Sequence, residues 1–334
     1  MARVPYNKPA LTHADQLQQL KDRGLLIEND AKALHLLDTL SYYRLSGYWH
    51  PMLAEPKSAH IFKPGSSFNN AFKIYCFDRE LRKLVLSELE KIEVAIRSKM
   101  IYLISHRHTA FWFNNPALFS HEATRVKSVV NLTQEFGRSD ELFIKSFKKN
   151  YSDPLPPSWM ILEISSFGNL SYLYKNLRPG NDKRDIADYF GLDDSTFESW
   201  LHSIVYIRNV CAHHARLWNK IMSISPKIPL TPSKDWIVVP VAVNNRTGLS
   251  APVNNRMYFI LSMVVYLLET VNPKHTFKER LGNLFSKYPN IDLRAMGFPA
   301  NWKTEPLWTT KKVPFYKKIG DWIATRIASK HILR

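Results

Sequence analysis

The residues best suited to chemistry lie in the stretch 195–219, STFESWLHSIVYIRNVCAHHARLWN. Arg208 offers a planar guanidinium that grips phosphate through paired N–H donors. His213 and His214 offer imidazoles that exchange protons near neutral pH. Asn209 follows Arg208 directly and stands four residues before His213, where its amide can orient a neighbour. Together these types meet the needs of transesterification at an RNA phosphodiester. One group takes the proton of the 2′-hydroxyl, another protonates the leaving oxygen, and a cation steadies the charge gathering on the phosphoryl oxygens. The scheme uses no metal and no cofactor.

The element that must carry these groups reads as an amphipathic helix. Ser195 with Glu198 forms a capping-box pattern, and Phe197, Leu201, Ile204 and Val205 recur on one face. Extending that seam reaches Arg208, Cys211 and Ala215, which sets a charge on a packing face, where it costs roughly several kcal/mol unless paired. A second stripe, His202, Tyr206, Asn209 and His213, runs alongside, with Arg216 and Lys220 beyond it. On one ideal helix Arg208 and His213 point about 140° apart, so they do not converge unaided. Spacing alone is also weak. Arg44 to His50 and Arg326 to His331 repeat the pattern of Arg followed five or six residues later by His, and of the three only Arg208 is followed by Asn. A polar layer satisfied between helices would use the same residues without chemistry.

The totals narrow the partners. The 334 residues carry 46 Lys and Arg against 29 Asp and Glu, a formal charge of +17, whose field attracts polyanions, nucleic acid first among them. Apolar content of 45% and charged content of 22% are those of a globular chain with a real core. Cys76 and Cys211 write no disulfide framework and fit a reducing cytoplasm. The start, MARVPYNKPALT, has no apolar signal segment, and the longest apolar run, Met257 to Leu268, is too short to span a bilayer. No membrane partner is expected. Gly-rich phosphate loops, a G-x-S-x-G elbow, a dinucleotide fingerprint and two-by-two metal-ligand spacing are all lacking.

Along the chain, Thr12 with Asp15 opens a short helix and a second spans about 30–40. The run SYYRLSGYWHP at 41–51 mixes aromatics with Arg44. Such a mixture stacks on bases or docks a small segment on a bundle, and docking is the ordinary use. Ser67 caps a very long helix to about Ser105, with Phe77, Leu81, Leu84, Val85, Leu89, Ile92 and Ile96 at three-and-four spacing. Asp78–Arg82 and Glu93–Arg97 are favourable four-apart pairs, for which a surface salt bridge is the usual role. Ser158 caps a helix holding Glu163 among apolar neighbours. Glu163, like Glu93, is a candidate partner for Arg208, with Tyr206 a third supporting residue. Helices at about 170–177 and 182–190 precede the central one. After residue 223, Trp236 to Val243 reads as an edge strand because of Pro240. The Asn-Arg-Thr-Gly turn at 245–248 suggests a hairpin, and helices at 255–271 and 276–288 follow. The last 24 residues hold seven Lys or Arg and one acid among Phe315, Tyr316 and Trp322. Lys311, Lys312, Lys317 and Lys318, with Arg216 and Lys220, are candidate RNA contacts.

Five runs carry a family resemblance: SYYRLSGYWHP at 41–51, FDRELR at 77–82, LEKIEVAIRS at 89–98, W-x-x-x-E-x-x-S-F-G-x-L-S at 159–171 and RNVCAHHARLWN at 208–219. In this order they resemble the Abi (AbiD/AbiF-type) abortive-infection family, which is similar in turn to the HEPN superfamily of all-helical, metal-independent endoribonucleases. The resemblance implies a mainly α, HEPN-like helical bundle with an N-terminal helical segment and a small β excursion in the C-terminal third. The divisions expected are 1–66, 67–222 and 223–334. It implies a phage-defence toxin acting as a homodimer with a composite site, in which Arg208, Asn209 and His213 match the superfamily's Arg, polar, His pattern and His214 is a second candidate. It also implies restraint by a small noncoding RNA antitoxin. A non-catalytic module that senses or sequesters structured RNA or a phage component is the competing reading.

Overall fold

The computed structural model of the chain is described over residues 5–243 and 248–309, where twelve α-helices and one two-stranded sheet form the regular structure. Three short helices, α1 (His13–Asp22), α2 (Asp30–Leu40) and α3 (Tyr42–Trp49), precede a 40-residue helix, α4 (Phe68–Arg107). Then come α5 (Glu122–Arg138), α6 (Leu142–Asn150), the one-turn α7 (Ser158–Ile161), α8 (Phe167–Asn176), α9 (Asn181–Tyr189) and α10 (Asp194–Ala212). Strands β1 (Val241–Val243) and β2 (Ser250–Pro252) pair antiparallel ahead of α11 (Met257–Val271) and α12 (Phe277–Lys287). The protein is mainly helical with a small sheet in its C-terminal third, as its sequence leads one to expect.

The starts of α1 and α4 follow from their caps. Thr12 and Asp15 form the reciprocal box, and the Ser67 hydroxyl accepts from the Asn70 amide at 3.1 Å. α4 is the axis of the molecule. Phe77, Leu81, Val85, Leu89, Ile92, Ile96, Met100 and Ile104 are buried along it, and α3, α9, α10, α11 and α12 all pack against it. α11 is buried on every side from Met257 to Leu268, the signature of a helix at the centre of a core. One apolar cluster therefore runs continuously from Leu17 to Trp308. No helix among the described residues is long and apolar enough to cross a membrane.

Three local expectations fail for physical reasons. The cap of α10 is Asp193, whose carboxylate accepts from the Thr196 amide at 2.8 Å, not Ser195. Glu198 instead pairs with Lys183 at 2.6 Å. The extended segment from Trp236 forms only three ladder positions, because Trp236 turns inward onto the Trp200 ring at 5.0 Å and Pro240 has no N–H to give. Glu163 lies outside any helix: the chain leaves α7 at Ile161, and the carboxylate is exposed and needs no buried partner.

Candidate active site

Arg208 does not lie on the packing seam. The buried face of α10 runs through Ile204, Ile207 and Cys211, so Arg208 falls beside it with its side chain 40% exposed. Its Nε stands 3.7 Å from the Glu93 carboxylate, and Nη1 stands 3.5 Å from Asn209 Oδ1. Glu93 is itself fixed by Arg97 at 2.8 Å. Arg97 is buried and caps the carbonyls of Leu162, Glu163 and Ser165. The four-apart pair on α4 is thus half-buried, not a surface bridge, and it holds the carboxylate that faces Arg208. Glu163 contributes through its backbone alone, and its side chain looks onto a separate depression shared with Glu135 and Arg138.

α10 stops sooner than its sequence suggests. No Gly or Pro ends it, yet helical geometry ceases at Ala212, and His213 is the cap residue with φ −86° and ψ 12°. His214 adopts the left-handed conformation at φ 57°. The His214 amide donates to the Cys211 carbonyl at 3.1 Å and the Ala215 amide to Val210 at 3.0 Å, which together make a Schellman ending. His213 therefore leaves the helical stripe, and the angle of an ideal helix no longer fixes its direction relative to Arg208. Both imidazoles are exposed and make no hydrogen bond to the described residues.

The stop is made by tertiary contacts. Arg44 donates to the His214 carbonyl at 2.8 Å and Arg82 to the Ala215 carbonyl at 3.4 Å. Arg216 donates to the Gly47 carbonyl. The Asp78 carboxylate, fully buried, accepts from the amides of Leu217 at 3.1 Å and Trp218 at 2.5 Å, from the Tyr48 hydroxyl at 2.7 Å and from Arg82. Burial pushes the Asp78 carboxyl above its usual range, while Arg82, Tyr48 and the two amides pull against that shift. The two N-terminal motif runs, 41–51 and 77–82, are thus a clamp that sets where His213 and His214 stand. Sequence reasoning missed this role. The aromatic–arginine run and the Asp78–Arg82 spacing were visible, but nothing local says that they meet residues 214–218.

Arg216 is half-buried and bound to Gly47, and Lys220 is half-buried. Lys311, Lys312, Lys317 and Lys318 lie outside the described residues. Cys211 is buried, which pushes its thiol up to about 12, so the sulfur next to the histidines is a packing group. Among the described residues no group of three or more His, Cys, Asp or Glu is arranged to hold a metal ion.

His202, Tyr206 and Asn209 line a cleft of 720 Å³ between α8 and α10. Its other wall is Gly168, Ser171, Tyr172 and Lys175, with Lys227 from the segment after α10. The 159–171 run builds that wall: Ser166 caps α8, Phe167 and Leu170 are buried, and the small Gly168 and Ser171 face the opening.

The family model described as Abi-like protein matches residues 35–219, more than half of the chain. The match runs from within α2 to the loop after α10, and so takes in the clamp, α4, the cleft walls on α8 and α10, and the histidines. Searches of curated proteins and of solved structures found no match.

Proposed function

The chain belongs to the family of Abi-like proteins, and from that premise we propose that it is an abortive-infection effector that cleaves RNA without a metal, at the C-terminal end of α10. The observation that carries this reading is a contrast among arginines. Arg44, Arg82, Arg97 and Arg216 are each committed to backbone carbonyls, whereas Arg208 keeps a half-exposed guanidinium held by a loose carboxylate contact and a long contact to the Asn209 amide oxygen. Two unengaged imidazoles follow it on a clamped turn.

In the proposed reaction Arg208 binds the non-bridging oxygens of the scissile phosphate. His213 takes the proton from the 2′-hydroxyl, whose oxygen attacks phosphorus. The 5′-oxygen departs as its bond to phosphorus breaks, protonated by a second imidazole, leaving a 2′,3′-cyclic phosphate and a 5′-hydroxyl. His214, or His213 of a second copy, is the proton donor. Asn209 steadies the guanidinium from the adjacent position. A homodimer would close the site by bringing two α10 ends together on a twofold axis. A net charge of +17 suits both an RNA substrate and a small noncoding RNA that restrains the toxin.

The test is Arg208→Ala and His213→Ala in a phage-challenge assay and in RNA cleavage. Both variants lose defence, toxicity and cleavage, the unaltered chain cleaves equally well in EDTA, and RNA binding by the variants persists. Full toxicity in both would place the chemistry elsewhere. Loss of defence only on removing lysines, with steep salt dependence, would favour the RNA-binding module over the enzyme.

A further inference from the structure

The cleavage scheme leaves the α8–α10 cleft without a task. We propose that this cleft is a groove for a single-stranded RNA segment leading to the linkage at Arg208, an inference that rests on the C-terminal end of α10 being the cleaving end.

The cleft joins two kinds of group that single-strand binding requires. Tyr172 on α8 is 57% exposed, a large ring left in solvent with a free face, and Tyr206 is half-buried on the opposite wall. Lys175 is exposed, and its ammonium makes no hydrogen bond to the described residues. Lys227 reaches the Ser195 hydroxyl at the far end. Of the two acids in the cleft, Glu198 is neutralised by Lys183 at 2.6 Å, and Asp194 sits in the first turn of α10, where its charge meets the positive end of the helix. The available charge along the walls is therefore positive.

Size and direction agree with a strand. At 720 Å³ the cleft lies within the ~300–1,000 Å³ range of organic-ligand sites. The side chains His202, Tyr206 and Asn209 follow one face of α10, and the rise from His202 to His213 is about 16 Å. An extended unpaired strand, whose nucleotides stand farther apart than the ~3.4 Å rise of a duplex strand, sets about two or three nucleotides along that length. Gly168 keeps the α8 wall low, since a Cβ there would meet only the Ser166 hydroxyl at 3.9 Å. A duplex hides the base faces that Tyr172 and Tyr206 would stack on, so the strand must be unpaired.

Binding is measured by fluorescence anisotropy of a short labelled single-stranded RNA on full-length His213→Ala, which keeps the strand intact. Adding Tyr172→Ala weakens binding about tenfold. Adding Lys175→Ala lowers the slope of affinity against salt by about 0.7. Lys149→Ala, on the exposed face of α6, changes neither. Circular dichroism confirms that each variant is folded. A matched RNA duplex binds at least tenfold more weakly than the single strand. Unchanged affinity in both cleft variants, an equal loss in Lys149→Ala, or equal binding of the duplex overturns the groove. RNA cleavage by the unaltered chain is scored separately. If it cleaves while the cleft variants bind normally, the groove alone falls. If it never cleaves while Tyr172→Ala still loses affinity, the groove stands and the nuclease reading falls.

Discussion

Asp78→Asn should damage this protein in two separable ways. The substitution keeps the shape of the side chain and removes its charge, which leaves Arg82, itself 5% exposed, without its ion-pair partner. Breaking one side of a buried pair costs about 3–5 kcal/mol. For a chain of this size that is a fall in Tm of about 4–7 °C. The second effect is local. Asn has one carbonyl oxygen where Asp78 has two to share among Leu217, Trp218, Tyr48 and Arg82. Hydrogen exchange at Leu217 and Trp218 should rise at least tenfold relative to amides in α11. The double variant Asp78→Asn with Arg82→Met tells the two effects apart, because it removes the buried guanidinium that the single change leaves without a counter-charge. It should recover most of the Tm while the 217–218 amides stay fast and phage defence stays low, which a merely stabilising pair would not produce. A single-variant loss under about 1 kcal/mol, or exchange that rises evenly across the molecule, would refute the clamp.

Two further outcomes follow from backbone and charge. His214 sits at φ 57°, so His214→Gly should hold stability within about 1 kcal/mol of the parent while His214→Val loses about 1–2 kcal/mol, read from urea midpoints. If His214→Gly also keeps full defence, His213 alone supplies the imidazole that each copy needs. The hydrogen bond from His275, with Lys278 at 2.7 Å, holds the Glu269 carboxyl down to about 2 against an ordinary 4.5. Because the folded value lies below the unfolded one, the stabilisation is full above about pH 4.5 and is lost as pH falls towards 2. Discounted for partial exposure it is ~1–2 kcal/mol, so the urea midpoints of the parent and Glu269→Gln should differ at pH 7 and draw together near pH 3.

The helices were legible wherever a pattern is local. Thr12 with Asp15, Ser67, and the three-and-four spacing from Phe77 to Ile96 specify α1 and α4 with no outside help, and the all-apolar run of α11 can only be a core. What was not legible depends on contacts distant in sequence. Two good caps, Asp193 and Ser195, compete for α10, and the earlier one wins once Lys183 draws Glu198 away from any capping box. The end of α10 is harder still. Nothing between Arg208 and Asn219 forbids another turn, and the helix stops because Arg44, Arg82 and Asp78 bind the carbonyls and amides beyond it.

The same distinction explains why candidate residues could be named but their arrangement not drawn. Sequence spacing treats Arg44–His50 and Arg208–His213 as equivalents. In the fold Arg44 is tied to a carbonyl of the very turn that carries His214, so the decoy supports the candidate. Whether an arginine binds phosphate depends on whether its donors are already occupied, and that is decided by carbonyls 65 to 170 residues away in sequence. A stretch rich in Arg, Tyr and Trp thus carries little information on its own about RNA contact. The informative quantity is the remainder left loosely held or unengaged: Arg208, two imidazoles, and the ring and ammonium of Tyr172 and Lys175 across the cleft. If RNA crosslinks mapped to Arg44 and Arg216 and spared these five, the distinction between clamp and contact surface would be wrong at its root.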